Sequence, residues 1–350
     1  MRRVSKTISS ICVLRLSAIG DVCHAVSAVQ AIQRAHPQAK ITWVIGKVEA
    51  MLLADLPGVE FVVFDKKRGK AAFKDLRAHF KGAQFDVLLH MQVAFRSNVA
   101  AMCIPAKVKI GFDSARSKEL HSLVVNQRIT GQTEPHVLEG FHHFAQAIGT
   151  ESQSPTWKMP YTAEDEELAR SLLHGLDRVF VISPAASKQE RNWLPERYAA
   201  LADYAAGQGF NVVITGGPTE LEASLSQAII KQAKCNILNL VGQTGLKTLL
   251  CVLKEAKLVL APDTGPAHMA VTVGTPVIGL YAHSNPKRTG PYLYQQYVVE
   301  VYHQNVLKQK GKPVSELPWG TRVKGADLMA QISVDDVTAM FDKVVQQEKL

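Results

Sequence analysis

The apolar positions of this 350-residue chain fall into two series of short hydrophobic runs, most of them followed by a stretch of helical spacing. In the first series the runs are residues 11–16, 41–45, 61–64, 87–90 and 108–111. In the second they are 179–183, 211–215, 237–239, 258–261 and 277–281, with helical spacing over 195–207, 219–233 and 246–255. Short apolar runs of this kind suit strands buried on both faces of a parallel sheet. Between the series, residues 149–165 (GTESQSPTWKMPYTAED) are polar, carry two prolines and lack periodicity, which predicts a linker. The alternation predicts an α/β protein with two doubly wound parallel sheets. The domains are placed at 1–160 and 161–333, with the helical stretch 334–347 free to pack back on the first.

The turns after the strands carry the candidate chemistry. Residues 258–281, LVLAPDTGPAHMAVTVGTPVIGLY, read as strand, tight turn, helix, second turn and strand. The first turn holds Asp263, Thr264, Gly265, Pro266 and His268. Thr264 is a candidate N-cap, and Pro266 is tolerated in a first helical turn because its missing N–H would be unpaired there. Gly265 lets the backbone approach a ligand. The free amides and the helix dipole point outward, which makes an anion site, phosphate first among the candidates. Taken singly, the segment is equally an ordinary capped turn.

A turn of the same kind opens the chain. Residues 17–20 are small, and Asp21 stands at or just before a helix with an apolar face of Val22, Val26, Val29 and Ile32. Asp21 is there either a helix-capping residue or a carboxylate placed at a cleft. The dinucleotide fingerprint G-x-G-x-x-G is absent, which disfavours a nicotinamide cofactor. Two more post-strand turns stand in the second half. Residues 183–193, SPAASKQERNW, offer Ser187, Lys188 and Arg191 to a phosphate, or form a surface loop whose Trp193 packs on the domain. Residues 215–220, TGGPTE, offer Gly216, Gly217 and Glu220, the last placed to hold ribose hydroxyls or to cap the next helix.

Composition narrows the class. Hydrophobic content of 47% and charged content of 20% suit a soluble α/β protein. No run reaches the ~20 apolar residues of a membrane span. The basic N-terminus is not read as a signal peptide, since Arg15 interrupts its apolar part. Cys12, Cys23, Cys103, Cys235 and Cys251 show neither metal spacing nor a disulfide framework, which fits small core residues in a reducing cytoplasm. The net charge of +9 implies an acidic partner. Residues 66–81 concentrate it, with seven Lys and Arg, among them Lys67, Arg68 and Lys70, against Asp75. A solvated helix face accounts for such a run. So does a phosphorylated acceptor or an anionic membrane surface. No recognition motif favours nucleic acid.

These motifs resemble one family. RLSAIGDV, SPAASKQERNWLPERYAAL, TGGPTE, LVGQTGL and PDTGPAHMAVTVGTPVIGLYAHSNPKRTGPY together resemble the bacterial ADP-heptose:lipopolysaccharide heptosyltransferases, glycosyltransferase family nine, over nearly the whole chain. The stretch GFDSARSKELHS resembles the acceptor-side segment of the Kdo-proximal type. The resemblance implies a GT-B fold, two Rossmann-like domains facing across a cleft. It implies Asp21 as general base, with Ser187, Arg191, Glu220, Asp263, Thr264, Gly265 and His268 around the ADP-heptose donor. Arg116, Lys67, Arg68 and Lys70 then fall on the side of a phosphorylated Kdo–lipid A acceptor. Where family members often carry Lys, this chain has Arg191, which keeps the charge and adds a bidentate fork. The resemblance further implies inverting transfer at the inner face of the cytoplasmic membrane. No Asp-x-Asp motif occurs, and protein cations and helix dipoles are expected in place of a metal. A second-heptose transferase, another ADP-sugar enzyme of the same fold, and a non-catalytic nucleotide- or anionic-lipid-binding protein are the alternatives.

Overall fold

A computed structural model describes residues 8–131 and 134–350, so the basic residues 1–7 lie outside the described residues. The chain forms two compact units, Met1–Pro160 and Tyr161–Leu350.

The first unit is built on six parallel strands: β1 (Ser10–Leu14), β2 (Lys40–Gly46), β3 (Val59–Phe64), β4 (Phe85–His90), β5 (Ala106–Gly111) and β6 (Gln127–Arg128). Their order is β3-β2-β1-β4-β5-β6. Ile11, Cys12, Val13 and Leu14 of the central strand are fully buried, as an apolar run in a doubly covered sheet requires. Helices α1 (Ile19–Ala35), α2 (Lys47–Leu53), α3 (Lys70–His79), α4 (Phe95–Met102), α5 (His121–Val124) and α6 (Val137–Gln146) connect them or follow. Helix α1 packs on α6, with Ser27 Oγ 3.0 Å from His142 Nε2. Part of the linker also belongs to this unit. Trp157 Nε1 donates to the Cys23 carbonyl (2.9 Å), and Gln30 pairs with the Lys158 backbone in both directions (2.7 and 3.0 Å).

The second unit repeats the plan. Strands β7 (Val179–Ile182), β8 (Asn211–Ile214), β9 (Ile237–Asn239), β10 (Leu258–Pro262), β11 (Val277–Tyr281) and β12 (Val298–Glu300) lie in the order β12-β11-β10-β7-β8-β9. Counted from the first strand of each unit, both sheets run 3-2-1-4-5-6, the Rossmann order. The helices are α7 (Ala163–Leu172), α8 (Pro195–Gly207), α9 (Glu220–Gln232), α10 (Leu246–Glu255), α11 (Gly265–Thr272), α12 (Pro286–Thr289), α13 (Tyr302–Lys310) and α14 (Val334–Glu348). Tyr161 and Glu166 are tied to this unit by Lys254 Nζ, at 3.0 and 2.6 Å.

The terminal helix corrects one expectation. Helix α14 packs in the core of the second unit, where the sequence reading left it free to join the first. Its buried Val337, Phe341 and Val344 join the core of Phe180, Tyr198, Phe210 and Leu258. The Phe341 ring meets Phe180, Tyr204 and Phe210 edge-on, with centroids 5.2–5.9 Å apart. An apolar stripe at helical spacing must be covered, and these three rings supply the cover.

Phe341→Ala is expected to cost about 3–5 kcal/mol, the usual range for a buried aromatic truncated in a packed core. Hydrogen exchange should show the loss in β7 and α8 while the amides of β1 keep their protection. Equal loss in β1 would overturn the assignment of α14.

Candidate active site

In each unit the strand order reverses between two central neighbours, β1 and β4 in the first, β7 and β10 in the second. At such a switch point the crossovers leave to opposite faces, and the carboxyl ends of the strands are open to a ligand. The sequence-predicted residues sort by their distance from these two places.

In the first unit, Asp21 lies in the first turn of α1, three residues past its N-cap Ala18. Its Oδ2 accepts from the Ala18 amide at 3.3 Å, so the capping reading holds in part. The larger contact is an ion pair between Oδ2 and Arg15 Nη2. Arg15 directly follows β1. Its Nη1 donates to the Met91 carbonyl beyond β4 (2.6 Å), and its guanidinium lies 5.4 Å from the Phe141 ring centroid. Gln92 locks the same spot by accepting from the Leu16 amide at 2.7 Å. Glu49, buried at the start of α2, faces Arg15 and Asp21, and burial pushes its carboxyl above the usual range. A side chain at Gly46 would collide with the Leu16 carbonyl and the Glu49 carboxylate, which is why glycine ends β2. Sequence reading missed Arg15 as a site residue, although a cation closing an apolar strand was a visible signal.

The acceptor-side residues are differently placed. Arg116 is not an open cation: it is 6% exposed, with Nε 2.6 Å from Asp113 Oδ2 and its guanidinium over the Phe112 ring at 5.0 Å. Lys67 and Arg68 lie on a single 3-10 turn and Lys70 opens α3, all exposed. Arg68 is paired with Asp75. Helix α3 buries Ala72 and Leu76, with Phe80 just beyond it, so its basic residues form the solvated face.

Below the segment that holds Arg116 runs a buried polar network. The Phe112 amide donates to His121 Nε2 (3.0 Å), so Nδ1 carries the His121 proton toward Asn98 Oδ1 (3.1 Å). His90 Nε2 donates to the same oxygen at 2.8 Å, and Asn98 Nδ2 donates to the Glu119 carbonyl at 2.6 Å. Desolvation lowers both imidazoles, His90 to about 3 and His121 to about 4.

In the second unit, Asp263 directly follows β10, and Thr264 is the N-cap position of α11. The Thr264 side chain does not cap. Its Oγ is buried without a hydrogen-bond partner among the described residues. Asp263 accepts from Ser284 Oγ (2.6 Å) and Thr289 Oγ (3.4 Å), and its Oδ1 lies 3.8 Å from the buried His268 Nε2. Burial opposes its charge, but His268, Ser284 and Arg288 outweigh that and lower its pKa. Arg191 faces the same carboxylate. Burial and the neighbouring Arg322 disfavour its charge, while Asp263 and Glu190 favour it. Arg322 is brought in because residue 322 bridges Ser284 in an antiparallel pair. No motif in the sequence signals it. Ser187 is exposed on the loop that Asn192 Oδ1 closes by accepting from the Ala186 amide (2.7 Å). Trp193 anchors that loop by donating to the Ile332 carbonyl at 3.0 Å.

At the β8 turn, Glu220 is the first residue of α9 and exposed. The acid that shapes the loop is Glu222, which accepts from the Gly217 amide (2.7 Å) and from Thr219 Oγ (2.6 Å). Thr219 caps the helix in return by accepting from the Glu222 amide at 3.3 Å. Capping is therefore assigned to Thr219 and Glu222, leaving Glu220 available at the edge. The arrangement around Asp263 combines helix amides, an unengaged hydroxyl and two arginines, a donor set matched to a diphosphate.

Residues 73–319 match glycosyltransferase family 9 (heptosyltransferase). The chain is 43% identical over 335 residues to the lipopolysaccharide core heptosyltransferase OpsX of Haemophilus influenzae, covering 96% of each chain. Among solved structures, it is similar to a glycosyl transferase family 9 protein from Veillonella parvula (TM-score 0.79, 21% identity, 97% and 98% of the two chains). It is also similar to E. coli heptosyltransferase WaaC with ADP (TM-score 0.72, 19% identity, 96% and 99%). The same enzyme with ADP-2-deoxy-2-fluoro heptose gives a TM-score of 0.68 at 20% identity, over 95% and 99% of the two chains.

The buried histidines set a pH dependence. Their folded pKa values lie below the 6.5 of the unfolded chain, so the unfolded state binds protons first on acidification. Stability should be full above pH 6.5 and fall as the pH drops toward 4. Glu49 runs the opposite way, and Asp86, held low chiefly by Lys107, acts only below the ordinary 3.8. Urea titrations at successive pH values check this. His121→Asn should flatten the slope, and an unchanged slope would overturn the role given to His121.

Proposed function

The chain belongs to glycosyltransferase family 9, and from that premise we propose that it transfers heptose from ADP-heptose to the Kdo–lipid A inner core of lipopolysaccharide. The observation that carries the donor half is the Asp263 cluster, where Arg191, Arg322, the Thr264 hydroxyl and the start of α11 converge. The OpsX relative, by its name, acts on the lipopolysaccharide core, and the complexes of WaaC with ADP and an ADP-heptose analogue support ADP-heptose as donor.

The chemistry follows from the charges. An acceptor hydroxyl attacks the anomeric carbon, and ADP leaves from the opposite face, so the configuration inverts in one displacement. Both internal contacts of Asp21 fall on Oδ2, which leaves Oδ1 to take the proton from the attacking oxygen. Arg15 fixes that carboxylate through the Met91 carbonyl and acts as a positioning residue. At the other end of the breaking bond the diphosphate gains charge. Arg191, Arg322 and the α11 amides stabilise it as it forms, and Ser187 adds a hydroxyl. Glu220 holds the ribose, and His268 orients Asp263. Metal-free catalysis belongs to this reading, since protein cations take the role of the counter-ion. The basic run with Lys67, Arg68 and Lys70 holds the phosphorylated acceptor, at the inner face of the cytoplasmic membrane. Arg116, paired with Asp113, stiffens the acceptor-side segment.

Asp21→Asn is expected to lower kcat by about 10²-fold or more, the scale of a general base, with ADP affinity unchanged. Arg322→Ala should do the reverse and weaken ADP in a calorimetric titration. Normal turnover of Asp21→Asn would reduce Asp21 to a helix cap, and preference for a uridine nucleotide would sink the donor assignment.

Neutralising Lys67, Arg68 and Lys70 together should raise the acceptor KM and spare ADP binding. The effect should shrink with salt, because charges more than ~8 Å from a ligand are screened at physiological ionic strength. Initial rates at several salt concentrations decide it, and equal loss of donor binding would make the run a support of the fold.

A further inference from the structure

The four most exposed large apolar side chains among the described residues share one groove of the first unit. Phe95 and Met102, at the two ends of α4, are 60% and 63% exposed, and Leu120 and Leu123, at α5, are 65% and 78% exposed. All four line a groove of about 590 Å³. Single exposed apolar residues are ordinary, but a contiguous set marks an interaction surface.

The backbone that presents them is held in place. Glu119 and Leu120 are both left-handed (φ +55° and +64°), a conformation that costs a branched side chain free energy. Asn98 fixes it, donating to the Glu119 carbonyl while its own oxygen receives His90 and His121. The buried network thus sets Leu120 and Leu123 outward. The charges around them are one-sided. Arg96 and Lys118, next in sequence to the lining residues Phe95 and Glu119, and Arg128, two past Asn126, are exposed, and Lys109 lines the groove, against Glu119 as the acid of the lining.

We propose that this groove and its rim are the docking surface for an anionic lipid bilayer, with Phe95, Met102, Leu120 and Leu123 entering the headgroup–acyl boundary. Protruding apolar side chains accompanied by exposed cations are what an anionic bilayer takes up, since a bilayer needs no shape complement. A second copy of the chain fits less well, because the same exposed cations would be brought against themselves. The proposal rests on the reading that the acceptor is a membrane lipid, but it concerns residues apart from the Asp21 and Asp263 sites and from the Lys67–Lys70 run.

The test is flotation of the full chain with vesicles of phosphatidylethanolamine and phosphatidylglycerol, without donor or acceptor. The Phe95→Ser/Leu123→Ser variant should lose vesicle affinity by about tenfold or more, given the burial each side chain forfeits. Leu307→Ser, 56% exposed on the second unit, should float like the parent protein. With a deacylated, water-soluble acceptor the double variant should turn over normally, and with vesicle-embedded acceptor its KM should rise. Unchanged flotation of the double variant would overturn the proposal, as would equal flotation of the parent on neutral phosphatidylcholine vesicles. Loss of concentration-dependent self-association without loss of flotation would assign the surface to a second copy instead. Flotation does not depend on transfer, so a failure of the transferase reading shows in the assays and leaves this measurement decisive.

Discussion

Reversal of strand order in a parallel sheet is the constraint on which both units depend. Right-handed crossovers place the helices after β1 and β4 on opposite faces, which leaves a crevice at the strand ends between them. Polar groups collect there because backbone amides and carbonyls at strand ends need partners. In the first unit Arg15 and Gln92 supply them; in the second, Ser284 and Thr289 gather on Asp263. The candidate base and the candidate diphosphate site are thus two outcomes of one topology. What separates them is the charge each turn imports.

In the first unit the imported charges pair off. Arg15 meets Asp21, Arg116 meets Asp113, and Lys107 meets Asp86 at 2.7 Å. An ion pair that is largely removed from water adds little net stability, because desolvation offsets the Coulomb gain. Its use here is geometric: Arg15 holds a carboxylate oxygen still, and Asp113 holds a turn. Breaking either pair would leave a charge without compensation, which makes these contacts rigid elements rather than adjustable ones.

Much of this was legible in the chain. Apolar runs gave the sheet strands, apart from the edge strands β6 and β12, which have two and three residues and too little pattern to stand out. Small post-strand turns placed Asp21, Glu220 and Asp263 at strand ends. Three features were not legible, for different physical reasons. Arg322 reaches its site through a bridge to Ser284, a contact between distant segments that no local period encodes. Glu222 does the loop-holding that Glu220 is equally spaced to do, and which of two acids turns inward depends on the Gly217 amide. The destination of α14 depended on which unit offered aromatic cover, and an amphipathic helix carries no address.

The charges of the second unit are arranged differently, and under the proposed function they make an anion site. Around Asp263, Arg288 helps to lower the carboxyl's pKa, and the charge on Arg191 is disfavoured by burial and by Arg322 while Asp263 and Glu190 favour it. Burial of Arg191 beside Arg322 is a cost to the folded chain. On the proposed reading a diphosphate would relieve it, which would link ligand affinity and local stability by mass action. The relief grows with the charge on the ligand, and a leaving diphosphate carries more charge on its departing oxygen than one bonded to a sugar. On that reading, buried arginines at the diphosphate would favour the departing group over the bound donor, the direction in which electrostatic preorganisation accelerates a displacement.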